Sequence, residues 1–192
     1  SQLILGPVGV GKSQVPIQVA HEEGWHVEVI NLSNYQPSEV TGWVTQVGDV
    51  MTQLLPDWAK RIFDAAKSGK QTLIVFEEFP QSDIDVQKAS AQVNWDRRVA
   101  GFRLPEDCLI VANGNRKSDK SAVKSIPEYL ISRFNIVTVL PELDPTLAHF
   151  TKISVAPEVT TYLTQFPDAL HRHVQDGTPF PSPRTWVAVS DI

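Results

Sequence analysis

The sequence predicts an α/β fold: a five-stranded parallel sheet covered by helices in three layers, followed by a small α-helical subdomain. Three observations predict it. Short apolar runs alternate with helical patterns over residues 2–140, the order that builds a parallel sheet with covering helices. A glycine-rich octapeptide at residues 6–13 falls between the first apolar run and the first helical pattern. Composition then shifts at Pro141, beyond which prolines separate short amphipathic stretches.

The first run, Gln2 to Leu5, suits a buried strand, and Gln14 to Ala20 carries a helix despite Pro16 in its first turn. His26 to Asn31 is a second strand. Ser33 to Thr41 is polar and leads into Gly42-Trp43-Val44, a segment that fits neither period. Pro56 opens a helix through Ser68 with Trp58, Ile62, Phe63 and Ala66 on one face, and Gly69 ends it. Thr72 to Phe76 is a third strand, Asp83 to Arg97 a helix and Leu109 to Ala112 a fourth strand. A helix from Pro127 to Arg133 precedes a fifth strand, Asn135 to Leu140. Two amphipathic pieces follow, Pro145 to Ile153 and Pro157 to Phe166, and a last helix starts near Thr185. The division expected is a core at residues 1–141 and a helical lid at 142–192. Both ends read as cut, the lid as incomplete.

Gly6-Pro7-Val8-Gly9-Val10-Gly11-Lys12-Ser13 is a complete phosphate-binding P-loop. Its glycines let backbone N–H groups curl around phosphate oxygens, Lys12 reaches the β- and γ-phosphates, and the Ser13 hydroxyl is placed for Mg²⁺. Gln14 opens a helix whose N-terminal dipole faces the anion. The expectation is a P-loop nucleoside triphosphate site.

Other constellations fit that site. Leu73 to Glu78 is an apolar strand ending in two carboxylates, which at the carboxyl edge of a parallel sheet project toward bound ligand. Glu77 takes the metal role, one methylene longer than the usual Asp, and Glu78 polarises the attacking water. Asn113-Gly114-Asn115 follows the fourth strand. Asn115 rather than Asn113 is assigned to the water and the γ-phosphate, and a plain turn is the alternative. Arg133 either caps a helix dipole or serves as an arginine finger to nucleotide on a neighbouring subunit. Arg184, in Ser182-Pro183-Arg184, can touch the γ-phosphate if the lid folds over it. Arg97-Arg98 reads as a solvated helix end before an intersubunit contact. His171 and His173 lack partners at metal-binding spacing.

Composition narrows the classes. A net charge of −5, with 42% hydrophobic and 20% charged residues, suits a soluble domain. It gives no general pull toward nucleic acid or an anionic membrane. Cys108 is the only cysteine and heads an apolar run, so a buried thiol is expected and an internal disulfide is excluded. No apolar stretch has the length of a membrane span and no signal peptide precedes the loop, so a cytoplasmic protein is expected.

With GPVGVGKS at 6–13, LIVFEE at 73–78, ANGN at 112–115, LISRF at 130–134 and SPR at 182–184, the chain resembles the AAA+ ATPases, specifically their MoxR-like and dynein-related branch. The segment Phe102 to Asp107 is similar to that branch as well. The resemblance spans nearly the whole chain and departs at Glu77 and the short flanks. It implies that Asn115 is sensor 1, Arg133 the trans-acting finger and Arg184 sensor 2. It also implies ATP and Mg²⁺ as cofactors and rings, commonly hexamers, with nucleotide at subunit junctions. The expected function is Mg-dependent ATP hydrolysis by a ring-forming motor that remodels a protein or protein–nucleic acid assembly. Two readings compete. One is a GTP-driven switch or motor, for which Asn115 to Asp119 is a near miss to the guanine-reading motif with one residue too many. The other is a nucleotide-gated scaffold with little turnover, supported by Glu77 alone.

Overall fold

A computed structural model describes residues 1–119, 123–172 and 178–191. The chain divides into two compact units, one of Ser1–Leu5 with Ser13–Val137, the other of Gly6–Lys12 with Thr138–Ile192.

The first unit is built on strands β1 (Gln2–Leu5), β2 (His26–Asn31), β5 (Thr72–Glu77), β8 (Cys108–Gly114) and β9 (Asn135–Thr138), in the sheet order β2-β5-β8-β1-β9. β2, β5, β8 and β1 pair in parallel, with Val29 beside Val75, Val75 beside Val111, and Leu3 beside Ala112. A strand covered on both faces reads as a continuous apolar run, which is why Thr72 to Phe76 stands out in the sequence and is buried throughout. Alternate residues of β5 serve opposite layers. Leu73 and Val75 cluster with Ala20 and Ile17 of α1 (Gln14–Glu22). Ile74 and Phe76 join the larger core with Trp58 and Ile62 of α3 (Asp57–Lys67) and Val86 and Val93 of α4 (Ile84–Asp96). Helices on both faces complete the three-layer α/β architecture.

Several contacts fix these helices. Pro16 lies in the first turn of α1, where its missing N–H removes no intrahelical bond. Trp58 is fully buried, donates Nε1–H to the Glu39 carbonyl at 3.1 Å, and meets Phe76 edge-on at 6.4 Å. Arg61 on α3 grips the buried Glu28 of β2 through Nε at 2.7 Å and Nη2 at 2.9 Å, with His26 Nε2 2.8 Å from the same carboxylate. Arg97 is not a solvated helix end: its guanidinium turns inward and donates to the Pro105 carbonyl at 3.0 Å and to that of Cys108.

The segment that fitted neither period forms α2 (Pro37–Thr41) and an antiparallel ribbon of β3 (Trp43–Val47) and β4 (Val50–Leu54). Trp43, Val44, Val47, Val50, Met51 and Leu54 are all exposed on it. A cleft of about 240 Å³ at its foot is lined by Tyr35, Glu39, Trp43, Leu54 and Asp57 among others, none of them a predicted site residue. A second small hairpin joins β6 (Arg98–Val99) to β7 (Phe102–Arg103), and the helix expected to reach Arg133 is a single turn, α5 (Glu128–Ile131).

The second unit holds α6 (Leu143–Lys152), α7 (Pro157–Gln165) and α8 (Pro183–Ser190) around Phe150, Val159, Leu163 and Leu170. Trp186 seals it by donating Nε1–H to the Ala169 carbonyl at 2.9 Å. Ser182 and Thr185 form a reciprocal capping box that starts α8. Among the described residues no helix is long and apolar enough to cross a membrane.

Candidate functional site

The octapeptide connects the carboxyl end of β1 to α1, and its first seven residues pack with the helical unit. Gly9 and Gly11 adopt φ of +79° and +88°, open to glycine at no steric cost. A β-carbon on Gly9 would sit 2.5 Å from Ser182 Oγ. The loop carbonyls are held from the helical unit. His171 Nε2 lies 3.0 Å from the Val8 carbonyl, so that nitrogen carries the proton, and the Arg184 backbone N–H donates to the Gly9 carbonyl at 3.2 Å. His173 lies outside the described residues. Lys12 Nζ curls back to donate to the Pro7 carbonyl at 2.7 Å. Among the described residues, the N–H groups of Gly9, Val10 and Gly11 donate to no protein acceptor. Successive N–H groups left open in this way form an anion-binding concavity.

In the first unit, Ser13 is the N-cap of α1 and Gln14 its exposed first residue. Ser13 Oγ makes no capping bond to its own helix and instead accepts from Asn113 Nδ2 at 3.1 Å. Asn113 and Gly114 lie inside β8, which excludes the turn reading. A side chain at Gly114 would collide with Pro80. Asn115 follows immediately, half-buried. Asp119 of the guanine-like motif is occupied by Arg116, whose N, Nε and Nη2 all reach its carboxylate, Nη2 at 2.7 Å.

Glu77 ends β5 opposite Asn31, and among the described residues its carboxylate has no hydrogen bond or ion pair. Glu78 is left-handed at φ +57°, a conformation that costs a non-glycine residue and aims its side chain away from the strand's alternation. Ser33 Oγ stands 2.5 Å from Glu78 Oε2 and 2.7 Å from Asn31 Oδ1. The single hydroxyl proton favours the charged carboxylate. Asn31 Oδ1 is served by the Ser33 backbone N–H at 3.1 Å.

Arg133 is exposed, with its guanidinium carbon 4.7 Å from the centre of the Trp95 ring. Arg184 is the second residue of α8. The structure therefore brings Ser13 to Asn113, Ser33 to Glu78, and the loop to Arg184 and His171. Ser33, His171 and the bond from Asn113 to Ser13 were not read from the sequence. A polar residue directly after the apolar run Cys108 to Ala112 was the available signal for Asn113.

Oxygen donors at Ser13 and Glu77 suit a hard divalent cation. Among the described residues no group of three His, Cys, Asp or Glu could form an all-protein cage.

No protein-family model matches this sequence, and no curated protein does. Solved structures match in number, 619 chains, so the fold is a common one and cannot by itself name an activity. Among them is a crystal structure of a Cytophaga hutchinsonii protein designated an ATPase, at a TM-score of 0.56 and 16% identity. The likeness covers 81% of this chain and 47% of that one, so the chain spans about half the length of that protein. It shows the shared P-loop NTPase-like fold.

Proposed function

We propose that this chain is the nucleotide-binding part of an AAA+ ATPase of the MoxR-like and dynein-related branch, binding and hydrolysing ATP with Mg²⁺ in a ring, commonly a hexamer. The observation that carries the reading is the loop itself. A complete GPVGVGKS connects a parallel strand to a helix, with the successive N–H groups of Gly9, Val10 and Gly11 unclaimed by protein acceptors among the described residues.

Gly6, Val8, Gly9, Val10 and Gly11 wrap the phosphates with backbone N–H groups, Pro7 shapes the turn between them, and Lys12 exchanges its bond to the Pro7 carbonyl for phosphate oxygens. Ser13 and Glu77 would hold Mg²⁺, which when bound neutralises charge on the β- and γ-phosphates. Glu78, held by Ser33, accepts a proton from the attacking water, and Asn115 orients that water. Arg133 leaves Trp95 to serve nucleotide on the next subunit, and Arg184 carries nucleotide state into the helical lid, taken as residues 142–192 following a core of residues 1–141. The work proposed is remodelling of a protein or protein–nucleic acid assembly. The net charge of −5 favours a protein client.

The test is Glu78→Gln. It removes the base and keeps the shape, so ATP is expected to bind as in the wild type while turnover falls by about 100-fold or more. Undiminished hydrolysis overturns the assignment. Parallel titrations with ATP and GTP separate the motor from a GTP switch, and wild-type turnover separates it from a scaffold.

A further inference from the structure

We propose that Asn113 is a positioning residue for the divalent cation, acting through Ser13. The inference rests on the nucleotide-site reading above. Serine at an N-cap ordinarily turns its oxygen onto the free N–H groups of its own first turn. Ser13 does not: its backbone is already helical at φ −82° and ψ −39°, its side chain makes no capping bond, and its Oγ accepts from Asn113 Nδ2 at 3.1 Å. The two residues are 100 positions apart and meet because β8 runs beside β1, with Asn113 level with Ile4.

The chemistry of the pair fixes its direction. An amide NH₂ can only donate, so Oγ must accept, spending one of its two lone pairs on Asn113. The second lone pair and the hydroxyl proton are then confined to the remaining tetrahedral directions. Asn113 is only 3% exposed and reaches Ser13 from the protein side, while Ser13 is half-buried, so the bond holds the hydroxyl from behind and leaves its other side open. Glu77 follows Phe76, which lies beside Ala112 in the sheet, so it is at the register position of Asn113, and its carboxylate is without a protein partner among the described residues. A hydroxyl oriented from behind and an uncommitted carboxylate are what a cation with strict geometry requires of its protein ligands.

The experiment measures binding of a fluorescent ATP analogue to the full chain with Mg²⁺ and with EDTA, and Mn²⁺ binding to the nucleotide-loaded chain by electron paramagnetic resonance. Asn113→Ala and the nearly isosteric Asn113→Leu are expected to lose about tenfold in the Mg²⁺-dependent gain and in Mn²⁺ affinity. Affinity in EDTA is expected to stay unchanged, which also shows that the variant is folded. In a Ser13→Ala background, Asn113→Ala should add no further loss. Equal weakening with and without metal, an unchanged metal gain, or additivity with Ser13→Ala overturns the inference. Lys12→Ala separates the two readings. If the wild-type chain binds no nucleotide, or binds it as well without Lys12, the nucleotide site itself fails and this inference with it. If Lys12→Ala abolishes binding but Asn113→Ala and Asn113→Leu keep the metal gain, this inference alone fails.

Discussion

At Gly9 two constraints meet, since φ is +79° and any β-carbon would lie 2.5 Å from Ser182 Oγ. Gly9→Ala is therefore expected to cost about 1–3 kcal/mol of stability and to weaken nucleotide binding; calorimetric melting and titration measure the two. Cys108 is a chemically quieter residue. Burial pushes its thiol from 9.0 up to about 11. The native state keeps the proton where the unfolded chain releases it, so this contribution to stability is complete below pH 9 and lost between pH 9 and 11. Urea unfolding across that window should show the decline, and Cys108→Ala should make it shallower, the remainder including Tyr35, whose hydroxyl is also pushed upward by burial. The motif residues were legible because their types and spacing carry the chemistry. The partners of Ser13 and Glu78 were not, since Asn113 is 100 residues away and Ser33 is 45. Only the parallel registers of β8 with β1 and of β2 with β5 bring those ends together.

Strand β9, exposed along its whole length, was legible only from its β-branched residues Ile136, Val137 and Thr138, whereas β5 could be read from the sequence because burial on two faces leaves an uninterrupted apolar run. The ribbon of β3 and β4 could not. Trp43 and Leu54, Val47 and Val50 pair across it while facing solvent, with Thr45 opposite Thr52 between them, so no core-facing period marks it. Helix α3 was visible from its stripe of Trp58, Ile62, Phe63 and Ala66, of which Trp58 and Ile62 are fully buried and Phe63 and Ala66 half-buried. Trp58 also joins α3 to the Glu39 carbonyl in α2. Trp58→Ala is expected to cost about 3–5 kcal/mol through lost burial and the cavity left. Denaturant unfolding should show a lower midpoint with little change in slope. The surface pair Lys60–Asp64, at 2.6 Å and well exposed on both sides, should contribute far less.

At the scale of the whole molecule, the proposed ring makes a demand on Arg133. Its stacking on Trp95 is a resting place near the surface, worth about 0.5–1 kcal/mol and easily exchanged for a charged partner. Arg133→Ala is expected to leave nucleotide affinity of single protomers intact and to abolish turnover in assembled rings. Mass measurement with and without ATP, paired with a hydrolysis assay, checks both. The grouping of Gly6–Lys12 with Thr138–Ile192 has a different consequence. The glycine-rich octapeptide stands at residues 6–13, yet the carbonyls of Val8 and Gly9 are clasped by residues 171 and 184. A shortened chain ending at Leu140 would retain every letter of the signature and lose the scaffolding that shapes it.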